Sequence, residues 1–595
     1  MMVNTKFRTK RRPVARGHRS RKRKQTEEGE ENSTASAKKI RTPVAKSSIQ
    51  SSTDSCLKPP QGYRFQDMSI LKQVLGACAI CKYCKEGTLR LLERQAGCGL
   101  ARTLVLLCSN NGCQAMTELP TSKRIVNGKA RFYDVNRRSA LAMRVIGRGR
   151  AALVKFCAVM NMPGPVKPKS FSSHVRAIHR VSKQVAGSEM AKAVKEIRKS
   201  KGCKGDSVAD ISVSCDGTWA RRGYQSLYGM VSAIGVETGK VVDYEVKSKV
   251  CYKCRAKKDL DPLSQEYINW TESHAPNCTA NFNKSSKAME SAGAVDMWNR
   301  SVTTNKLQYT EFVGDGDCSS FKDVSNSRPY GAVNITKVEC VGHIQKRMGG
   351  RLRRLKRDKK GQKLNDGKTI GGRNRLTDNL IDTFQRYYGK ALRQNIGDVD
   401  GMERDVRAIW HHYASTEEKP QHHYCPAGSE SWCKWQKDRA NGTSTFKPKK
   451  VDSAVMAEVL PTFLTLCERD LLQSVAKGLT QNANESLNHL VWDICPKEGF
   501  SGPDTVGSAC AIAVSLFNGG AHTLAAMLIG LHLEVGKLSL AGFTAIDQQR
   551  LYGAAQKSTD AAKLKRQVQR AKRKKRQDHN EEAEGPMYDS GAFGP

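Results

Sequence analysis

The chain lacks long apolar segments. None of its 595 residues falls in a run of 18 or more apolar residues, so the sequence predicts no membrane-spanning helix and no membrane partner. The first residues, MMVNTKFRTKRRPVARGHRSRKRK, are charged and have no apolar core, so we expect no secretory signal. Hydrophobic residues make up 38% of the chain, below the usual globular share, which predicts polar tails around a folded centre of several domains.

Acidic residues are scarce. Asp and Glu number 57 against 100 Lys and Arg, a formal net charge of +43. This excess favours a polyanionic partner, and nucleic acid is the partner we expect. A merely soluble basic protein is the alternative, but solubility alone needs only a modest net charge.

Both ends of the chain are predicted to be disordered tails, because they contain few large apolar groups. In residues 1–60, the basic clusters Arg21–Lys24 and Lys38–Arg41 resemble nuclear import signals, which predicts a nuclear location; the alternative is solvated tails that hold nucleic acid. Residues 541–595 are basic and then acidic. Their segment AAKLKRQVQRAKRKKRQ, residues 561–577, is either a second import signal or a phosphate-binding arm.

Cysteine, in contrast, is abundant, with 20 residues. In a chain expected to stay in a reducing compartment, CxxC pairs indicate metal ligands before disulfides. Residues 61–126 contain one such pair, two predicted strands (TLRLLE and ARTLVLLC) and a second cysteine pair, the arrangement of a zinc ribbon. Ordinary buried cysteines are the alternative, and Cys78 and Cys98 are spare candidates. The predicted zinc ligands are Cys81, Cys84, Cys108 and Cys113.

Two further groups have the chemistry of metal ligands. The pattern C-x2-C-x19-H-x3-C predicts a zinc-binding insert at 251–300, with a reduced CxxC beside an unrelated surface histidine as the alternative. The segment HHYCPAGSESWCKW is less regular, and a packed loop of aromatic and cysteine side chains explains it equally well. The ligands of the insert are Cys251, Cys254, His274 and Cys278, and the candidates in the irregular segment are His422, His423, Cys425 and Cys433.

Apolar residues recur every three or four positions in residues 127–205, with basic residues between them, which predicts helices. A helix–break–helix with a basic face suits DNA docking, and a helical bundle with a solvated basic face is the alternative. Residues 344–475 are again helix-rich and basic. In GLTQNANESLNHLVWD, Asn482 or Asn484 is expected to cap a helix that carries Glu485.

Strand patterns begin at Ser207. DISVSCDGTW alternates in polarity and carries Asp216, and QSLYGMVSAIGVETGKVVDYEVKSK predicts two more strands. A later strand, LQYTEFVGDGD, ends in acidic residues. An antiparallel meander of this kind opens an RNase H-like fold. We therefore expect an α+β multidomain protein whose RNase H-like core, a mixed sheet with helices at 206–343 and 476–540, is interrupted by the zinc insert and by the helical insertion.

Three acids fit the metal site of such a core: Asp216 on the first strand, Asp315 after the later strand and Glu485 on a late helix. Phosphodiester chemistry in a two-metal site needs carboxylates that hold two ions roughly 3.5–4 Å apart, typically Mg²⁺ or Mn²⁺. Asp317 is the alternative to Asp315, since it lies on the same side if the strand continues. A tight turn is the non-catalytic explanation of Asp-Gly-Asp.

The motifs SCDGTW, GDGD, VECVGHIQKR, LTDNLIDTFQRYYGKALRQN, HHYCPAGSESWCKW and GLTQNANESLNHLVWD occur in this order. Together they resemble the Mutator-like transposases of invertebrate genomes, from about residue 75 to about 540. The resemblance implies a DDE recombinase that binds the terminal inverted repeats of its element in double-stranded DNA, nicks the ends and joins the 3′-OH to target DNA. It also implies an all-helical insertion before Glu485, and pairing of two ends implies a homo-oligomer.

The same family carries a (C/D)xxH motif after the second Asp, which here is Cys340 to His343. His343 would orient a neighbouring group, contact the scissile phosphate or only pack. Two other functions share these features. A domesticated or inactive transposase would act as a zinc-dependent nuclear DNA-binding protein, and an RNase H-type nuclease would use the same acids but would not explain the helical insertion or the zinc-like units.

Overall fold

A computed structural model describes residues 35–39, 62–128, 130–220, 226–315, 319–447, 451–499, 501–566, 568–569 and 572. The basic cluster Arg21–Lys24 and the alternate ligand Asp317 lie outside these residues, and the basic segment 561–577 is described only in part. None of the helices in the described ranges combines the length and the apolar character that a membrane crossing requires.

The chain forms a mixed α+β structure. The strands are β1 Leu89–Glu93, β2 Thr103–Cys108, β3 Met116–Pro120, β4 Arg124–Asn127, β5 Ala130–Tyr133, β6 Ala209–Trp219, β7 Tyr228–Gly235, β8 Lys240–Ser248, β9 Leu307–Gly314 and β10 Thr336–Glu339. The helices are α1 Ala35–Lys39, α2 Met68–Cys78, α3 Asp134–Val145, α4 Arg150–Val159, α5 Pro168–Ser200, α6 Tyr252–Ala256, α7 Gln265–His274, α8 Ala288–Asn305, α9 Ser319–Ser327, α10 Val341–Asp358, α11 Asp378–Gln394, α12 Val399–Ala414, α13 Lys434–Asn441, α14 Ser453–Leu466, α15 Arg469–Val475, α16 Asn482–Ile494, α17 Pro503–Gly519, α18 Thr523–Gly530 and α19 Lys537–Ser558.

The central sheet has five strands in the order β10-β9-β6-β7-β8. β6, β7 and β8 form the predicted antiparallel meander, whereas β9 runs parallel to β6 and β10 runs parallel to β9. Asp216 on β6 lies opposite Ser232 on β7. Because β6 and β9 are parallel, both strands end at the same edge of the sheet. Asp315, which follows β9, therefore lies at the edge where β6, the strand of Asp216, also ends.

Helices cover both faces of this sheet. On one face α8 packs against β6 and β9, where Val213, Trp298 and Phe312 are fully buried. On the other face a second core joins β7 and β8 to α3, α4, α5, α16, α17 and α18. Residues 127–205 and 476–540, which the sequence places in separate domains, therefore share one hydrophobic core.

The helical region α10–α15 has a separate core, built around Phe384, Tyr388 and Phe463. Ring contacts hold it together, with the Phe384 centroid 5.3 Å from that of Phe463. Buried Arg375 bonds to Asp366 and Asp452, which joins the segment before α11 to the start of α14. This region follows β10 and precedes α16, at the position expected for the helical insertion.

Several boundaries differ from those predicted. Residues 130–133, expected to be helical, form β5 in a hairpin with β4. The proposed insert 251–300 includes 13 of the 18 residues of α8. This is a core helix, because Met289, Met297 and neighbouring small residues give it an apolar face against the sheet. Neither Asn482 nor Asn484 caps α16; the N-cap residue is Gln481.

Part of the tail predicted from residue 541 is ordered, because α19 extends to Ser558. Buried Asp547 accepts hydrogen bonds from the backbone N–H groups of Ala521 (2.7 Å) and His522 (3.4 Å), and Arg550 donates to the Leu516 carbonyl (2.6 Å). These polar contacts attach α19 to the end of α17. The helix has no apolar stripe, so periodicity did not reveal it.

Candidate active site and metal clusters

A row of polar side chains joins α16 to one face of β6. Asn484 is fully buried; it accepts a hydrogen bond from Ser214 Oγ (2.6 Å) and donates to the Ser232 hydroxyl (3.1 Å). Two turns further along α16, Trp492 Nε1 donates to Thr218 Oγ1 (2.7 Å). Residues two apart on a strand share a face, and residues four apart on a helix share a face, so the two elements pair in register.

Asp216 lies in the middle of this row. Asn488 Nδ2 donates to Asp216 Oδ2 at 2.7 Å. Glu485 precedes Asn488 by three residues and therefore lies on the same side of α16. The predicted acids of β6 and α16 are thus brought to one side of the sheet by the pairing of polar residues.

Asp315 joins the site through His343. The residue directly follows β9, and its carboxylate contacts His343 Nδ1. The other ring nitrogen, Nε2, lies 3.8 Å from Glu485 Oε1. The imidazole therefore lies between the second and third predicted acids. Burial, and then the positive charge of Lys346, lowers the pKa of His343 below its ordinary value.

Cys340 has a different place. It is buried at the N-cap of α10, where its Sγ accepts a hydrogen bond from the Gln481 backbone N–H (3.4 Å). Gln481 Nε2 in turn donates to the Cys215 carbonyl (2.8 Å). These contacts connect the starts of α10 and α16 to β6, so Cys340 positions the helices that carry His343 and Glu485.

A fourth carboxylate, Glu290, was missed by the sequence analysis. It comes from α8, and Ser320 Oγ donates to its Oε1 at 3.1 Å. The side chain lies over Gly217, where an added Cβ would be 2.8 Å from Glu290 Cγ. No motif marks this residue, because it falls within the segment that the sequence assigns to the zinc insert.

The electrostatics reflect this concentration of acids. Burial, and then the negative charge of Glu290, raises the pKa of Asp216 to about 7, and Glu485 adds to the rise. Asn488 Oδ1 is buried without a hydrogen-bond partner among the described residues. A set of hard oxygen donors with an elevated carboxyl pKa fits a divalent cation such as Mg²⁺, since the cation would offset the repulsion between the acids.

In three Cys/His clusters the ligand atoms lie closer to one another than those of the acids do. In the part of the chain that the structure describes, these clusters are the sets of three or more His, Cys, Asp or Glu residues whose ligand atoms all lie within 4.8 Å of one another. The clusters are Cys81, Cys84, Cys108 and Cys113; Cys251, Cys254, His274 and Cys278; and His412, His422, Cys425 and Cys433. Each of the three clusters could hold a metal ion.

The first cluster contains the four cysteines of the predicted ribbon. β1 and β2 form the expected antiparallel pair, and β3 adds a third strand. The Sγ atoms of Cys84 and Cys108 are 3.6 Å apart, and those of Cys81 and Cys113 are 3.8 Å apart. Tetrahedral zinc with Zn–S bonds of about 2.3 Å separates its sulfurs by roughly 3.8 Å, so the donors fit the ion. The spare candidates Cys78 and Cys98 are exposed and outside the cluster.

The second cluster contains the four predicted ligands of the insert. Cys251 Sγ lies 3.2 Å from His274 Nε2, and Cys254 Sγ lies 3.5 Å from Cys278 Sγ. The His274 ring stacks on Trp270 with centroids 4.7 Å apart, which orients the imidazole. Since α6 and α7 bury few apolar side chains, the cluster is the centre of this small unit.

Comparison with known proteins identifies the family. The family model described as Mutator-like transposase matches residues 62–433, more than half of the chain. The chain belongs to the Mutator-like transposases. No curated protein and no solved structure matches it.

The region that matches the transposase family includes most of the candidate site residues. It extends from the first Cys cluster through Asp216, Asp315 and His343 to Cys433, the last ligand of the third cluster. Membership of the family implies DNA binding and indicates an enzyme of the DNA-cleaving or recombining class. Glu485 and α16 lie beyond the matched residues, so their connection to the site is provided by the structure.

Proposed function

We propose that this transposase is an active DDE recombinase, which binds the terminal inverted repeats of a DNA transposon and catalyses metal-dependent cleavage and strand transfer. The observation that carries the proposal is that His343 contacts Asp315 and lies 3.8 Å from Glu485, while Asn488, on the same helix as Glu485, donates to Asp216. The three acids come from separate parts of the chain. Clustered acids repel one another, as the raised pKa of Asp216 reflects, and a bound divalent cation would offset that repulsion.

The strand order supports an RNase H-like core. A three-stranded antiparallel meander whose first strand lies at the centre of the sheet continues into two parallel strands, β9 and β10. The proposed acids come from the central strand, from the end of its parallel neighbour and from a late helix. This is the arrangement that the sequence analysis predicted for such a core.

Asp216, Asp315 and Glu485 would hold Mg²⁺ or Mn²⁺, which would supply activation of an attacking water and stabilisation of the departing oxygen. The protein contributes the orientation of these groups. Asn488 fixes the Asp216 carboxylate, and His343 fixes that of Asp315 and approaches Glu485. We assign structural Zn²⁺ to the first two Cys/His clusters, whose donor geometry matches tetrahedral coordination.

The DNA path follows from the position of α10. This helix begins beside the acids at His343 and carries exposed basic side chains along its length, among them Lys346, Arg351 and Arg354. Phosphates that leave the site along α10 would neutralise these charges and release counterions, so affinity should fall steeply with salt. Residues 75–200, with the first cluster and the basic helices, are our proposal for end recognition.

The test uses purified full-length protein, Mg²⁺ or Mn²⁺ and a labelled transposon end. The variants Asp216→Asn, Asp315→Asn and Glu485→Gln should each lose cleavage and joining by at least 100-fold while they retain DNA binding. Asp323→Asn on α9 is the matched control, because Asp323 is an exposed acid eight residues after Asp315. An Asp216→Asn protein that cleaves at the wild-type rate would refute the assignment.

Binding without cleavage by the wild-type protein would favour the alternative, a domesticated DNA-binding protein. We also propose a nuclear location and a homo-oligomer that pairs two ends. Within the basic segment 38–41, Lys39 is buried, with its Nζ 3.2 Å from the centroid of the Phe517 ring. The import signal is therefore better sought in Arg21–Lys24, which lies outside the described residues.

A further inference from the structure

We propose that the helical insertion contains a third zinc site, of Cys2His2 type, whose ligands are His412, His422, Cys425 and Cys433. The site joins the irregular segment 415–433 to the end of α12. It goes beyond the proposed recombinase chemistry, because the cluster belongs to the insertion and includes none of the catalytic candidates.

The distances between the donor atoms fit one tetrahedral ion. Cys433 Sγ lies 3.6 Å from His412 Nδ1 and 3.5 Å from His422 Nδ1. Cys425 Sγ lies 3.8 Å from each of the same two nitrogens. Zinc with Zn–S bonds of about 2.3 Å and Zn–N bonds of about 2.0–2.1 Å separates sulfur from nitrogen by roughly 3.6 Å.

The surroundings orient the ligands. The second ring nitrogen of His422, Nε2, lies 2.8 Å from Ser415 Oγ, so with Nδ1 on the metal its N–H donates to the serine. The His422 ring stacks on Trp435, with centroids 5.0 Å apart and an interplanar angle of 18°. Gln436 Nε2 donates to the His422 carbonyl (2.8 Å), which fixes the backbone of the same residue.

Each of two adjacent histidine pairs contributes one ligand. His412 and His422 face the cysteines, whereas His411 and His423 contact each other on the outside, with ring centroids 4.7 Å apart. His423 is exposed, and His411 Nδ1 lies 3.0 Å from Gln421 Oε1. Adjacency to His422 makes His423 a candidate ligand in the sequence, whereas His412 lies ten residues earlier, on the preceding helix.

The segment 415–433 buries few side chains, and most of those that it buries are proposed metal ligands. Residues 415–433, all of which the structure describes, contain no helix or strand. The buried side chains among them are three proposed ligands and two serines: Ser415, His422, Cys425, Ser431 and Cys433. With no buried aliphatic, Phe, Tyr or Trp side chain of its own, the segment gains little from hydrophobic burial, and metal coordination is the interaction that would fix it.

Metal analysis of the purified full-length protein tests the proposal. The wild-type protein should contain three equivalents of zinc, one for each cluster, and His412→Gln and Cys433→Ser should each contain two. His423→Gln is the matched control and should contain three. A His412→Gln or Cys433→Ser protein with as much zinc as the wild type would overturn the proposal.

Cobalt substitution provides a test that does not require a stable variant. The three clusters differ in thiolate number, with four, three and two cysteines. Fewer thiolates shift the visible d–d bands of tetrahedral Co²⁺ to shorter wavelength, so the wild-type spectrum should resolve into three components, one typical of Cys2His2. A spectrum that two thiolate-rich components describe completely would contradict the site.

The His412→Cys variant should restore the third equivalent that His412→Gln loses, now with a Cys3His spectrum.

Discussion

Asn488 Nδ2 donates a hydrogen bond of 2.7 Å to the carboxylate of Asp216, and this contact connects the central strand of the sheet to the helix that carries Glu485. The two residues are 272 positions apart in sequence. Their pairing explains how the segment after the helical insertion returns to the sheet in a defined register. A shift of α16 by one turn would remove the donor from Asp216 and would move Glu485 away from His343.

The raised pKa of Asp216 predicts a pH-dependent stability. The folded protein binds this proton up to a pH of about 7, whereas the unfolded chain releases it near 3.8. The free energy of unfolding of the metal-free protein should therefore fall as the pH rises between these values and stay low above them. Asp216→Asn removes the titration, so the variant should be more stable than wild type at pH 8, by on the order of 1–3 kcal/mol, and similar at pH 4.

Thermal melts of both proteins in buffer without added Mg²⁺ or Mn²⁺ would measure this difference. Addition of Mg²⁺ or Mn²⁺ at pH 8 should raise the melting temperature of the wild-type protein and leave that of Asp216→Asn nearly unchanged. A variant that is no more stable than wild type at pH 8 would show that the carboxylate is not strained by its neighbours.

The buried amide of Asn484 predicts a large effect on stability. Its Nδ2 and Oδ1 atoms bond to Ser214 and Ser232 inside the core. Asn484→Leu would leave two hydroxyl groups and two carbonyls with fewer partners, at a cost of about 1–3 kcal/mol or more. Asn482→Leu, an exposed residue in the first turn of the same helix, should cost less than about 0.5 kcal/mol. Denaturant unfolding of the pair measures the difference, and equal losses would argue against the polar row as a determinant of the packing.

Local patterns predicted the parts of the fold in which neighbouring residues determine the structure. Alternation in DISVSCDGTW predicted β6 with Asp216, and the apolar residues up to Val313 predicted β9. The paired cysteines predicted the ligands of two clusters, because CxxC knuckles place two thiolates within one turn. These signals need no knowledge of distant contacts.

Contacts between distant segments were not predictable in the same way. Glu290 reaches the site because α8 crosses the sheet beside a glycine, and nothing in its own segment marks it. His412 is the fourth member of its cluster because the loop that follows α12 folds back onto this helix. Adjacency in sequence had instead favoured His423. Asn484 was expected to cap a helix, but tertiary packing turned its side chain into the core.

The first Cys cluster predicts a selective loss of zinc. Cys81→Ser should remove one equivalent and destabilise the three-stranded sheet, because Cys81 lies in the cluster and is buried. Cys78→Ser, three residues earlier and exposed, should leave the zinc content unchanged. Metal analysis with binding assays on a labelled transposon end measures both effects. If end recognition resides in residues 75–200, Cys81→Ser should weaken binding at least tenfold, whereas unchanged binding would place recognition elsewhere.

The close approach of Glu290 to Gly217 predicts that a methyl group there disturbs the site. In Gly217→Ala the new Cβ would lie 2.8 Å from Glu290 Cγ and 2.9 Å from its Oε2, so the side chain must move away from Asp216 and from Ser320. Overpacking of this size costs about 1–3 kcal/mol. Displacement of the Glu290 carboxylate from Asp216 would also lower the pKa of Asp216, because the negative charge of Glu290 contributes to its rise.

A double-mutant cycle separates these effects. If Gly217→Ala acts by displacing Glu290, it should reduce the melting-temperature gain from Mn²⁺ in the wild-type background and have little further effect in Glu290→Ala, where the space is free. Cleavage of the labelled end should follow the same non-additive pattern. Additive losses in both measurements would mean that the alanine disturbs β6 itself and does not act through Glu290.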